Sequence, residues 1–490
     1  MHPEDSRSSA PPLTQRVIAG ALLSAAAFVY LWWEIAYRAV YQYAISQYGF
    51  DDADEWRYTA CSRLVVHGYR LFDQVFSAQP PLFFLSLAGG MRLLGDSIDG
   101  ARATEILFGA LGLGATAWLA WELDGPFAAG LAAAFLAISP GFLVYSHAVE
   151  AEGPMMALMT LSLALVALHR RIGSRPALGF AGLALAAAIL IKFFAAEALL
   201  PALLLIVQRE RGRRTKAVVP AALFGLAVAV PVALDLVLVS PADQWQQVVV
   251  MHDKAATVAL PDLTAPGTIL REFLTLDLGL TLLAAAGLIT LFALCRFPDA
   301  IVLSAWLPGM IVMLFLFRPL FPHHAAILLT GLAVSAGVGA GATVKAHVSH
   351  ERKAVFPVAV ALLAYLALLP RLAHADRHTL LAEQRPSVLT LAAYVQRTTS
   401  PSSFVAADDL EVADRAQRLV PAPLCDPSNV RFRSGYLTAA TLISATRQYQ
   451  TVLVVPSRGI YLQVPAYTAW VRAHYRPERV PRGPIVYRRP

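Results

Sequence analysis

The 490-residue chain is 57% hydrophobic and only 15% charged, a balance that argues against a string of soluble domains and for a polytopic membrane protein. Its formal net charge of +7 is scattered over membrane-flanking loops and a C-terminal tail, so it reads as an orientation signal, and no nucleic-acid partner is expected. The three cysteines, Cys61, Cys295 and Cys425, have neither metal-ligand spacing nor the pattern of a disulfide framework. The expectation is unpaired thiols, although Cys61 and Cys425 could pair if they share one side of the membrane.

In chain order, residues 1–16 read as a cytoplasmic tail. Val17 to Trp33 follows, with Arg16 before it, Glu34 and Arg38 after it and no small-residue cleavage site, as an uncleaved first span. Phe50 to Pro81 (FDDADEWRYTACSRLVVHGYRLFDQVFSAQPP) is a polar, acidic insert. Asp51, Asp52, Asp54 and Glu55 lie within one helical turn of each other if the segment is helical, and two readings stay open for them. They cap the helix that follows, opposing its macrodipole, or they are functional carboxylates. Trp56, Ala60, Cys61, Leu64 and Val65 recur with helical spacing, which predicts a helix lying on the membrane surface with the carboxylates at the water–lipid boundary.

Apolar runs of spanning length occur near residues 17–36, 80–95, 103–121, 127–146, 153–168, 177–191, 194–207, 217–239, 274–295, 300–317, 325–343 and 355–370. Three basic clusters, His169-Arg170-Arg171 with Arg175, Arg209 to Lys216, and Lys345 to Lys353, all favour the cytoplasm. Parity then requires one run to be removed. The weakest is 80–95, which opens on two prolines and carries Gly89, Gly90 and Arg92, so it is predicted to be a half-buried, non-spanning helix. The expectation is an all-α bundle of about eleven spans over residues 17–372, with the N-terminus inside and a catalytic outer loop at 50–81. Ser240 to Arg271 is long enough to form a lid. Residues 373–490 read as a small extracytoplasmic α/β domain. Its predicted elements are helices over 386–397, 438–449 and 465–475 and strands over 403–407 and 451–456, with no Gly-rich phosphate loop or catalytic triad.

The expected outer ends of the helices collect Asp54, Glu55, Arg102, Glu150, Glu152, Lys192, Glu197, Asp235, Arg318, His323 and His324. Ionisable groups near spans are costly and point to function, against the plainer readings that Lys192 snorkels, Glu197 pairs with it, and the two histidines are solvated after Pro322. Together they describe a pocket with carboxylates on one wall and cations on the other. That suits a phosphate-bearing lipid and an acceptor hydroxyl needing a base.

The run DE-x-x-Y at Asp54 to Tyr58, then HGYRLFDQVFSAQPPL, DGARATEILFG and ISPGFLVYSHAVEAEGP, resembles in order and spacing the lipid-dependent membrane glycosyltransferases of the GT-C class. The nearest group is the family 39-like protein O-mannosyltransferases and aminoarabinose transferases, and the resemblance covers roughly residues 15–345. It implies a GT-C fold, a catalytic acidic pair at Asp54 and Glu55, a second carboxylate at Glu152, an arginine organising the acidic loop at Arg102, and a donor-binding Lys192. Gln79 stands where relatives carry a basic residue before PPL. The implied activity is inverting hexosyl or pentosyl transfer from a polyprenyl-phosphate donor to a glycan, glycolipid or protein hydroxyl. Asp54 would act as general base, Glu55 and Glu152 would position the sugars, and Lys192, His323, His324 and Arg318 would bind the donor phosphate. The resemblance leaves open a divalent cation held by Asp54 and Glu152. The rival reading is a transporter or flippase of a lipid-linked substrate, disfavoured because the carboxylates cluster in loops and no halves repeat.

Overall fold

The computed structural model describes residues 13–40, 53–210, 214–257, 265–348, 356–380, 386–481 and 483–490. Asp51 and Asp52 of the acidic insert lie outside the described residues, as does 258–264 of the predicted lid. Among the described residues six helices are long and apolar enough to cross a membrane: Leu13–Ile35, Ile98–Asp124, Glu152–Ile172, Val218–Leu238, Phe297–Leu316 and Pro322–His347. Pro266–Leu276 and Leu278–Ala293, bent by 93° at Asp277, form a seventh if the pair is one broken span. Four apolar helices are shorter: Pro81–Leu94, Arg175–Ile191, Pro126–Ala137 and Phe356–Leu372. By length the bundle is therefore a mixture of full and partial spans rather than eleven of one kind. Pro81–Leu94, at 14 residues, reaches only about 21 Å against a hydrocarbon core of about 30 Å.

Local chemistry sets the breaks. Glu152–Ile172 ends at Gly173 in the left-handed conformation (φ 77°), whose N–H returns to the His169 carbonyl, the glycine stop expected where a Cβ would be strained. Ser174 then accepts from the Ala177 N–H and starts Arg175–Ile191. The predicted run 127–146 is interrupted at Ser139, where Pro140 opens a new short helix. The run 194–207 begins instead with a tight 3-10 turn, Phe193–Ala198, after Lys192 in extended backbone. Small residues allow close crossings. A Cβ on Gly339 would stand 2.1 Å from the Gly287 Cα, so helices Leu278–Ala293 and Leu328–Val348 meet backbone to backbone.

The acidic helix, Ala53–Val66, does not lie on a lipid surface. Trp56, Thr59, Cys61, Ser62 and Leu64 are all buried, on more than one face. Pro81–Leu94 covers one side, with Tyr58 edge-on to Phe83 at 4.9 Å. The C-terminal domain covers another, where Arg63 lies 3.7 Å from Asp414 and Arg415 stands 5.6 Å over the Trp56 ring. Cys61 and Cys425 form a disulfide, which corrects the expectation of unpaired thiols. The described part of the predicted lid is helical, and Gln247 ties it down by donating to the Phe72 carbonyl (2.7 Å) and accepting from the Ser77 N–H (2.9 Å).

In the C-terminal domain the helices Pro386–Thr398, Ala439–Gln448 and Pro465–His474 flank a four-stranded sheet. Its strands are β1 (Val405–Ala407), β2 (Leu453–Val455), β3 (Arg476–Arg479) and β4 (Ile485–Arg488), in the order β1-β2-β4-β3. β1 and β2 are parallel, and the other pairs antiparallel. The two predicted strands are β1 and β2, whose residues are all buried, whereas the interior strand β4, with Val486 and Tyr487 buried, was missed along with β3. β3 escaped notice because it is a mostly exposed, charged edge strand, a composition that blunts edge pairing and reads as tail. In protein purified without reductant, an alkylating reagent applied after denaturation should modify Cys295 alone and leave a Cys61–Cys425 linked peptide in the digest. Modification of all three thiols would contradict the fold at this contact.

Candidate active site

The acidic helix, the turn before Glu152, the break at Lys192 and the tight turn Pro322–Ile327 converge where Ile98–Asp124 begins. Glu55, 1% exposed, is gripped by both edges of the Arg102 guanidinium, Nε to Oε1 and Nη2 to Oε2. The Val149 N–H adds a weaker contact at 3.4 Å. A bidentate arginine takes both oxygens of a carboxylate, so Glu55 is built to fix the acidic helix in place rather than to accept a proton. Asp54 is placed differently. Its Oδ1 accepts from Arg57 Nη1, while Oδ2 faces His323 Nδ1 at 3.9 Å.

His323 connects the two walls of the site, because its Nε2 lies 3.9 Å from Glu152 Oε1. Glu152 has no exposed surface, and the same oxygen is paired with Lys192 Nζ. The extended backbone at Lys192 turns its side chain toward Glu152, beneath the Phe194 ring at 5.2 Å. His324 receives the Phe321 N–H on Nδ1 and packs edge-on to Phe194 (5.3 Å) and Phe317 (5.6 Å). Glu150 is also buried, and burial first, then the Asp54 and Glu152 charges, pushes its carboxyl well above the ordinary carboxylate range. Gln79 donates to the Tyr58 hydroxyl at 3.3 Å, a neutral contact in the place where relatives were expected to have a cation.

Of the residues predicted from sequence, Asp54, Glu55, Arg102, Glu152, Lys192, His323 and His324 are brought together. Arg318 is not: it is exposed, and its guanidinium donates to the carbonyls of Phe315 and Phe317. That is a helix C-terminal cap, and it removes Arg318 from the phosphate-binding set. Two side chains of the site were missed, Arg57 and Glu34, whereas taking 80–95 as non-spanning already puts Glu105 with Arg102 at the outer end of their helix. Arg57 carried a signal, three residues after Asp54 in the same motif. Glu34, read as a mere flank, is buried with Ser146 donating to it at 3.1 Å and His147 3.7 Å away. Glu105 is fully buried with neither oxygen hydrogen-bonded among the described residues. It approaches so closely only because Gly153 opens the next helix, where a Cβ would meet Glu105 Oε2 at 3.1 Å. Nothing in the local sequence announces the Glu34 environment.

Two sets of side chains could hold a metal ion: Glu152, His323 and His324, and Asp54, Glu150 and His323, each with ligand atoms within 4.8 Å of one another. Asp54 and Glu152, expected to share an ion, thus fall in different sets that have His323 in common. Carboxylate oxygens with an imidazole suit a divalent cation, although in the first set the ion would compete with Lys192 for Glu152.

Residues 78–234 match the family model of dolichyl-phosphate-mannose-protein mannosyltransferases. In three dimensions the chain is similar to ArnT from Cupriavidus metallidurans bound to undecaprenyl phosphate, at 16% identity and a TM-score of 0.65, over 95% of this chain and 97% of that one. It is also similar to the Archaeoglobus fulgidus oligosaccharyltransferase in its apo form, at 13% identity and a TM-score of 0.56, over 94% of this chain and 73% of that one. The archaeal enzyme AglB from the same organism, in complex with an inhibitory peptide and a dolichol-phosphate, gives 15% identity and a TM-score of 0.51 over 89% and 70%. No curated protein matches by sequence. The chain has the GT-C fold. The family match and the GT-C neighbours indicate a membrane glycosyltransferase.

Within this GT-C site, removing one member of a buried ion pair strands the other, at a cost of about 3–5 kcal/mol, whereas removing both charges is far milder. Lys192→Met should therefore lower the thermal midpoint markedly, and adding Glu152→Gln should restore most of it without restoring activity. A double variant as unstable as Lys192→Met alone would show that the pair is not what balances Glu152.

Proposed function

We propose that the protein transfers a sugar, with inversion, from a polyprenyl-phosphate donor to a hydroxyl of a glycan, glycolipid or protein acceptor on the extracytoplasmic side of the membrane. The observation that carries this reading is the alternation Asp54, His323, Glu152, Lys192 in one contiguous cluster. An inverting displacement needs a base on one side of the anomeric carbon and positive charge on the other. Asp54 Oδ2 takes the acceptor proton as the acceptor oxygen bonds to the anomeric carbon. The bond from that carbon to the phosphate oxygen breaks, and polyprenyl phosphate leaves with the electron pair. Lys192 offsets its charge, with His323 or His324 helping by hydrogen-bond donation, and Glu55, locked by Arg102, holds the acidic helix in register. A divalent cation at either histidine-containing set would supply further positive charge at the phosphate.

The undecaprenyl phosphate and dolichol-phosphate named with the ArnT and AglB structures support the class of donor. Two observations support the orientation. A Cys61–Cys425 disulfide beside the site is at home in an oxidising compartment. The opposite end of Ile98–Asp124, on the order of 30 Å from Arg102 along the helix axis, gathers cations: Arg296 and Lys345 on Asp124, and Arg170 and Arg171 on Asp299 and Glu122. That is the bias of a cytoplasmic face.

Asp54→Asn keeps the shape but loses the proton acceptor, so turnover of purified protein with undecaprenyl-phosphate-linked sugars should fall by about 10²-fold or more while binding of undecaprenyl phosphate changes little. Near-normal turnover in Asp54→Asn would remove the base from the account.

A further inference from the structure

One short stretch of the C-terminal domain grips the acidic helix at two points. Arg57 and Cys61 are four residues apart and share a face of Ala53–Val66, while Cys425 and Asp426 are consecutive in the domain. Cys425 is bonded to Cys61, and Asp426 Oδ1 stands 3.9 Å from Arg57 Nε. Asp426 is itself held in place. Its Oδ1 accepts the Ser428 N–H at 3.0 Å, and its carbonyl accepts from Arg431 Nη1 at 3.0 Å. The Arg431 guanidinium is buried 3.8 Å over the Phe76 ring, in the loop that follows the acidic helix.

The guanidinium of Arg57 thus lies between two carboxylates, one from each domain. Its Nη1 serves Asp54 Oδ1, its Nε edge faces Asp426, and Asp54 Oδ2 is turned toward His323. A guanidinium with a single carboxylate neighbour prefers the bidentate, fork-to-fork arrangement. At Asp54 that arrangement would occupy both oxygens, including the one aimed into the site.

We propose that Asp426 is a positioning residue for the catalytic carboxylate: by holding Arg57 from the side of the C-terminal domain, it restricts that arginine to one oxygen of Asp54 and keeps the other directed at the acceptor. The Cys61–Cys425 bond fixes the register of this contact, because it joins the residue next to Asp426 to the residue one turn beyond Arg57. The domain is then part of the catalytic apparatus, beyond any part it plays in acceptor access. The inference rests on the reading of Asp54 as general base.

The test uses the full-length protein in nanodiscs, a panel of synthetic undecaprenyl-phosphate sugars as donors and native membrane extract as acceptor source, with release of undecaprenyl phosphate as the readout. Asp426→Asn should lower kcat by about tenfold, the scale of a misplaced catalytic group, with the donor KM unchanged and the Cys61–Cys425 bond intact. Asp426→Glu should recover most of that loss. In an Arg57→Ala background, Asp426→Asn should have no further effect, since the two act through one contact. An unchanged kcat in Asp426→Asn, a loss that Asp426→Glu does not relieve, or a full additional loss in the Arg57→Ala background would each overturn the inference. If the native protein turns over no member of the panel, or Asp54→Asn remains active, the underlying reading fails. If Asp54→Asn is inactive while Asp426→Asn is fully active, only the present inference fails.

Discussion

The ion pair between Lys192 and Glu152 is the contact on which the rest of the site depends. Glu152 has no exposed surface, and an ionised carboxylate there costs several kcal/mol unless a cation repays it. The chain meets that demand at the turn between two helices, Arg175–Ile191 and Leu199–Arg209, the second of which ends where Arg209 donates to the Arg170 carbonyl, just before the first begins. Extended backbone at Lys192 and the tight turn after it place the ammonium group against Glu152. The same requirement recurs across the pocket, in Arg102 against Glu55 and Arg57 against Asp54. Each cation fixes a carboxylate in a different state of engagement. Glu55 has both oxygens taken, Glu152 turns one oxygen to both Lys192 and His323, and Asp54 keeps one oxygen turned to His323. A set of acids that look interchangeable in the sequence is thereby divided into different tasks.

The two ends of the bundle use charge in contrasting ways. At the far end, Asp124, Arg296, Asp299 and Arg170 form a continuous network that ties the ends of three helices. Cations there are matched to acids in short pairs. At the site the acids are in excess, and Glu105 and Glu150 are buried beside the pairs with no ion pair of their own among the described residues. An excess of buried acid is expensive and marks the end of the bundle where cationic or hydrogen-bonding ligands would be stabilised.

Much of this was legible in the sequence because it is local. Asp54, Glu55, Arg102, Glu152 and Lys192 sit in short motifs whose order along the chain already suggests one end of a bundle, and β1 and β2 of the C-terminal domain show as apolar runs. What was hidden depends on contacts between distant segments. Cys61 and Cys425 are separated by 364 positions, and no spacing rule reaches that far. Trp56, Cys61 and Leu64 do recur with helical spacing, but Thr59, Ser62 and Arg63 are buried as well, so the helix has no single apolar face to lay on lipid. A protein domain covers it here, where lipid was the expectation. Arg318 misled for the opposite reason: a cation beside two histidines suggested a phosphate site, yet its side chain turns back to cap the helix it follows. Two helix breaks were equally invisible, since Ser139 and Asp277 fall inside runs read as continuous, whereas the break at Lys192 lies between the predicted runs 177–191 and 194–207.

The central claim is that the pocket between Asp54 and Lys192 receives the phosphate of a polyprenyl donor, and a structure of the protein in nanodiscs with undecaprenyl phosphate tests it most directly. The account expects density for the phosphate within hydrogen-bonding distance of Lys192 and the His323–His324 pair, with Asp54 Oδ2 across the pocket from it. A phosphate bound at Arg318 instead, or among the cations around Asp124 at the far end of the bundle, would contradict it.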